Sequence, residues 1–500
     1  MPSFLRIIRI SALVVLAWQV RAEVSLPAVL AEHMVIQRGL PVHIWGMAEP
    51  GETVSVAFRG ETRSTGADNL GRWSVYLAPA EAGGPFALTV KGTNTIEMKD
   101  ILVGDVWVAS GQSNMEMPVS RVANADTEIA AAKFPRIRLF QVEDKVSDYP
   151  MDDVTARGWS ICDPETVGKF SAVAYFFGRD LTKRLDVPIG LMEADWGGTP
   201  ADAWTSLHAI GQDAALMPVF AEWARMNDNR STVILERRKR QQEWERAVAK
   251  AKAEGTKPPE RGWFPNESNS WMPAGLYNAM INPLTRFPIR GAIWYQGESN
   301  TSPERAPLYA RLFQTMIRDW RSAWGQGDFP FLFVQLANFD SGPPSEWPEV
   351  RDAQRQTLSL SNTGMAVIID IGEAKDIHPK NKQDVGGRLA LAARAVAYGE
   401  KIEYSGPLYR QITPEDGALR VWFDHARNGL SAKNGDLKGF EIAAADGKFV
   451  PATARIDGGT VVVSSAAVSA PKHVRYAWAS NPACNLYNVD GLPASPFRSE

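Results

Sequence analysis

The sequence predicts an α/β fold with β-rich regions at both ends, and three observations point to it. Between about residues 101 and 402, short apolar strand-like runs alternate with helical stretches, the alternation that builds a parallel sheet. From about 23 to 100, segments with every second residue apolar are separated by turn signals, as in half-buried antiparallel strands. From about 403 to 500 the same β texture returns. At 500 residues, 45% hydrophobic and 22% charged, the chain can bury a sizeable core and is long enough for more than one folding unit.

Residues 1–22 place Arg6 and Arg9 before an apolar run from Ile10 to Val20, with small residues Val20 and Ala22 at the −3 and −1 positions of a cleavage point. That is a signal-peptide pattern, and the run is short against the ~20 residues of a membrane span. The expected mature chain starts near Glu23 and is periplasmic or secreted, with no membrane attachment after cleavage. In the first β region "TVSVAFRG" alternates Val54, Val56 and Phe58, "RWSVYL" alternates Trp73, Val75 and Leu77, and "PFALTV" alternates Phe86, Leu88 and Val90.

The central region offers strands at "DVWVAS", Ile189 to Ala194, Arg290 to Tyr295, Phe331 to Leu336 and Met365 to Asp370, and helices at Ala172 to Arg184 and Val385 to Tyr398. Within it, a charged insertion over about 220–262 holds the stretch from Glu236 to Arg261, with Glu236 four residues before Arg240. Interleaved glutamates and basic residues predict a solvated helix laced with ion pairs. In the last region "HVRYAW" alternates Val474, Tyr476 and Trp478.

Bulk chemistry excludes some partners. A net charge of −3 gives no basic footprint for nucleic acid. Cys162 and Cys484 can pair in an oxidising compartment or remain as two buried thiols. With no Cys/His cluster and no HExxH, a structural or catalytic zinc site has no support in the sequence.

Open parallel sheets bind ligands beyond the carboxyl ends of their strands, so the loops there carry the candidate chemistry. After "DVWVAS" comes Gly111-Gln112-Ser113-Asn114, a serine at a strand-to-helix turn with its own N–H free for an oxyanion; taken alone it reads first as a turn former or N-cap. Gly197 and Gly198 follow "IGLMEADW" and allow a close backbone approach or an ordinary turn. Gln296-Gly297-Glu298 follows "RGAIWY"; the glutamine amide can donate to an oxyanion, and Glu298 can hold that amide or a backbone N–H in place. Asp376-Ile377-His378 follows "MAVIID", offering a base near neutral pH and a carboxylate two residues away on the same face of an extended segment. His208, in a helical stretch, is the rival base. Trp196, Trp204, Trp271 and Trp294 lie near these motifs, and an indole face suits the apolar face of a sugar ring.

"SGQSNMEMPV", "WGGTPADAW", "GLYNAMINPL", "WYQGESN" and "DIHPKNKQDVGGRLA", in that order, resemble the sialate O-acetylesterase family of the SGNH-hydrolase superfamily, as do "HMVIQRGLPVHIWGMAEPGETV" and "GRWSVYL" near the N-terminus. The resemblance runs from about residue 25 to the C-terminus. It implies a flavodoxin-like α/β/α core that removes acetyl groups from a sugar or glycan, sialic acid or hemicellulose, without metal or cofactor. It implies Ser113 as nucleophile, His378 as general base, and Ser113, Gly198 and Gln296 as the oxyanion hole, with Asn114, Gly197, Glu298 and Trp196 as supporting or substrate-binding residues. The superfamily's aspartate three residues before the histidine is here Lys375, so Asp376 or a backbone carbonyl is left to orient His378. A carbohydrate-binding protein with an inactive core is the alternative.

Overall fold

The computed structural model describes residues 23–259 and 269–499, and the signal-peptide expectation for residues 1–22 lies outside it. The organising element is one long strand, Thr95–Gly111. Its first half pairs antiparallel with Gly83–Lys91 of the N-terminal β region. Its second half, from Asp105 onward, pairs in parallel with Ile189–Asp195 on one side and Gly291–Tyr295 on the other. The junction expected near Asp100 therefore falls inside a continuous strand, which carries the N-terminal sheet directly into the central one.

Taken in chain order, the five parallel strands Thr95–Gly111, Ile189–Asp195, Gly291–Tyr295, Phe331–Val334 and Thr363–Ala366 sit in the order 2-1-3-4-5, the flavodoxin-like arrangement. A further pair, Phe134–Val142 (parallel) and Ala156–Cys162 (antiparallel), extends the sheet beyond Ile189–Asp195. Both faces are covered. Trp107 packs edge-on against Phe177 of the Ala172–Thr182 helix, which packs in turn on the Lys382–Val396 helix. Trp294, on the opposite face, meets Phe313 and Trp320 of the Ala306–Trp324 helix, itself packed on Trp347–Gln356. The result is an α/β/α sandwich.

In the N-terminal region Val54, Val56, Phe58, Trp73, Val75, Leu77, Leu88 and Val90 are buried, as alternation requires. The C-terminal β region builds a separate core around Leu419, Val421, Ile442, Val461, Val474, Tyr476 and Phe497. The alternation expected through Trp478 stops at Tyr476, because Ala477 turns to φ +52°. A buried guanidinium fastens the two parts: Arg351 donates to the Leu336 and Ala337 carbonyls of the α/β core and to those of Ala479 and Ser480 in the C-terminal region.

The last expected strand of the central sheet ends early. The apolar run Met365 to Asp370 is strand only to Ala366; beyond it Arg388 draws the chain away from the sheet edge by bonding the Val367 carbonyl and the Asp370 carboxylate. The charged insertion forms helices Pro218–Asp228 and Arg230–Ala253, the second with Ala251 alone buried among the described residues, and Glu236 meets Arg240 at 3.9 Å on the surface. Cys162 and Cys484 are both free thiols. Among the described residues no helix is long and apolar enough to cross a membrane.

Candidate active site

Two sheet strands deliver Ser113 and His378. Ser113 opens the short helix Ser113–Glu116 immediately beyond Thr95–Gly111, and His378 lies in the loop beyond Thr363–Ala366. Both therefore sit at the carboxyl ends of parallel strands, where His378 Nε2 and Ser113 Oγ are 2.8 Å apart. Burial is the main cause holding the His378 pKa below the ordinary 6.5, and the cations Lys382 and Arg121 act in the same direction against Asp376. A neutral ring facing a hydroxyl can accept its proton. His208, the rival, is exposed and bonded to Gln212 instead.

Asp376 takes a less direct place. Its Oδ1 accepts the backbone N–H of His378 at 2.9 Å, because the segment turns at a Glu373–Asp376 bridge instead of running extended. The same oxygen lies 3.6 Å from His378 Nδ1, close enough to act as a charge but longer than a hydrogen bond, and the carboxylate is 42% exposed. Among the described residues no backbone carbonyl bonds to Nδ1, so Asp376 is the acid nearest the ring.

The glycine pair divides its work. A Cβ at Gly197 would fall 2.6 Å from Glu116 Oε2 and 3.2 Å from Ser113 Cβ, so a larger residue would press on the glutamate tip and on the serine. The Gly197 N–H faces the Glu116 carboxylate. Gly198 adopts φ +73°, and neither its N–H nor that of Ser113 is taken by the surrounding turns and caps. Gln296 is fully buried, and its amide donates to Thr199 O at 3.1 Å and Asn300 Oδ1 at 2.7 Å, strapping the glycine loop to its own. An oxyanion would have to compete for one of these hydrogens. Tyr309 OH fixes the amide from behind by donating to its oxygen at 3.0 Å.

Asn114 is buried directly behind Ser113. Its Nδ2 donates to Glu298 Oε1 at 2.6 Å and to the Ile377 carbonyl at 2.9 Å, and its Oδ1 accepts from Lys382 Nζ. Glu298 thus holds the side chain following the serine, not the Gln296 amide. Burial raises the Glu298 pKa and pulls that of Lys382 down to about 7.

Comparison with known proteins gives the family. A family model for carbohydrate esterases, described as sialic acid-specific acetylesterase, matches residues 240–395. The sialate O-acetylesterase of Mus musculus is 34% identical over 519 residues, covering 91% of this chain and 90% of that protein; that of Homo sapiens is 32% identical over 517 residues, covering 91% and 88%. The chain belongs to the sialate O-acetylesterase family. A carbohydrate acetylesterase from Xanthomonas citri, solved by crystallography, superposes with a TM-score of 0.82 at 39% identity, covering 95% of this chain and 99% of that one. As a member of the family the protein is a carboxylic ester hydrolase, and the SGNH-type core is the shared scaffold.

Beside Gly197 and Gly198 this acetylesterase has a cavity of about 560 Å³ walled by Trp223, Met226 and Val233 of the inserted helices and by Trp271. Trp271 Nε1 donates to the Gly198 carbonyl at 2.6 Å, and Arg305 lies 4.8 Å over its ring. Trp204 and Trp294 are completely buried in the core, while Trp196 is half-buried. Three contributors escape a reading of motifs: Asn300, Thr199 and Lys382. Asn300 and Thr199 stand within quoted motifs and act through bonds to residues about 100 positions away, for which spacing carries no signal.

Proposed function

We propose that this acetylesterase is an exported serine enzyme that removes O-acetyl groups from carbohydrate by way of an acetyl-enzyme. The observation that carries the reading is the 2.8 Å approach of His378 Nε2 to Ser113 Oγ beside two unclaimed backbone N–H groups. His378 takes the Ser113 proton as the oxygen attacks the acetyl carbonyl, and the Ser113 and Gly198 N–H groups receive the oxyanion. Gln296 joins them by releasing its longer bond, to Thr199 O. The proton then passes from His378 to the departing sugar oxygen. Water attacks the acetyl-enzyme with His378 again as base, releasing acetate. Asp376 favours the imidazolium formed in each half-reaction as a nearby charge.

The cavity beside Gly198 supports a sugar as the leaving group, since indole faces pack on the apolar side of a pyranose. Its charges are mixed, Glu222 and Glu304 against Arg225 and Arg230, which suits a neutral acetylated glycan, whereas a sialate would engage one of the arginines. Export rests on the leader pattern of residues 1–22. Acetate release from acetylated xylan, xyloglucan and O-acetylated sialic acids, compared side by side, tests the reading. Faster release from the neutral glycans is expected, and a wild-type protein that binds these glycans but releases no acetate would overturn it.

A further inference from the structure

The Lys382 side chain is a misfit by every local rule. It is completely buried, yet lysine is rarely buried without an ionic partner, and no carboxylate lies within ion-pair distance of its ammonium among the described residues. It is also the first residue of the Lys382–Val396 helix, whose amino terminus disfavours a cation. Such costs persist where a residue is needed. What its Nζ reaches is the Oδ1 of Asn114, with the Tyr295 ring 5.2 Å away.

We infer that Lys382 is a positioning residue: it fixes the Asn114 amide, and that amide ties the helix of Ser113 to the loop of His378. With Oδ1 held by Lys382, both Nδ2 hydrogens are directed the other way, one to Glu298 Oε1 and one to the carbonyl of Ile377, the residue before His378. The oxygen of Ser113 and the ring of His378 come from strands at different places in the sheet, and Asn114 is the side chain next to the one that bonds to the other. Without the lysine the amide oxygen loses its charged donor, and only the two Nδ2 bonds, to the Glu298 carboxylate and the Ile377 carbonyl, are left to hold the side chain. Lys382 itself, fully enclosed, cannot touch substrate.

The lysine has a second effect that a mere spacer would lack. His378 is faced by Lys382, Arg121 and Asp376, and Lys382 by Glu298, Asp376 and Glu373. Removing the Lys382 charge leaves His378 with one repelling cation instead of two, so the base becomes easier to protonate.

The inference rests on Ser113 and His378 being nucleophile and base, and the test separates the two. In the full-length enzyme Lys382→Met is expected to lose on the order of 100-fold in kcat for para-nitrophenyl acetate with KM little changed. The acid limb of its kcat/KM profile should move up by on the order of one pH unit. Because the single variant leaves Glu298 without a nearby cation, Lys382→Met with Glu298→Gln serves as the second variant. It removes both charges while keeping an acceptor for Asn114, and it should show the same upward shift with a melting temperature close to wild type. Wild-type kinetics in either variant would overturn the inference, as would a lower rate with an unmoved acid limb. A Ser113→Ala protein that kept full activity would instead remove the underlying reading of the site.

Discussion

The back wall of the site and its mouth are built on different principles. Behind Ser113, Asn114, Gln296, Glu298, Asn300 and Lys382 are all buried, and their bonds run between loops of three different strands. At the mouth, Asp376 is partly exposed, its carboxylate 3.6 Å from the ring, and the inserted helix Arg230–Ala253 meets solvent along nearly its whole length. Buried polar networks hold their members in one arrangement because an unmade bond there is costly, whereas exposed charges are screened and adjust. The precision of the Ser113–His378 pair therefore comes from behind the nucleophile, and the mouth is left free to adapt to a leaving group.

That contrast predicts a graded series of losses. Replacing the proposed nucleophile, Ser113→Ala, should reduce kcat about a millionfold, measured on para-nitrophenyl acetate. Gln296→Ala breaks the strap to Thr199 and Asn300 and should cost about 100- to 1,000-fold in kcat, the range for a lost oxyanion donor. A loss under threefold would mean that the back wall does not hold the oxyanion site. Asp376→Asn should cost only on the order of 10-fold, well short of the ~10,000-fold seen where a triad aspartate is buried and bonded to its histidine. A loss as large as that would place Asp376 within the rigid part of the site. At the far end, Glu236→Ala on the exposed helix should alter unfolding free energy by less than about 0.5 kcal/mol and leave kcat unchanged.

The pH dependence sharpens the same comparison. His378 must be neutral to act as base, and burial, Lys382 and Arg121 all lower its pKa from 6.5. Activity rises as the ring loses its proton, so the acid limb of kcat/KM should lie below about pH 6.5. A limb above that value would mean that Asp376 outweighs the burial and the two cations.

The placing of the candidate loops was legible in the sequence because each follows a short apolar run of the kind that alternates with helices in a parallel sheet. The flavodoxin-like core came with the family resemblance, and the strand order was read from the structure, since adjacency of strands leaves no mark in spacing. The link between Asn114 and Lys382 was invisible for a different reason. A lysine in "HPKNKQD" stands among polar residues and reads as solvated, and only the fold turns it inward beneath Tyr295. The geometry of Asp376 was misjudged: two residues apart in an extended segment would share a face, but the turn at Glu373 sends its carboxylate to a backbone N–H.

Acid-quenching the enzyme during turnover of para-nitrophenyl acetate and mapping the modified peptide by mass spectrometry tests the central claim most directly. One acetyl group on Ser113, absent from Ser113→Ala, is the expected result. Undiminished turnover by Ser113→Ala, or an acetyl group that accumulates on another residue, would contradict it.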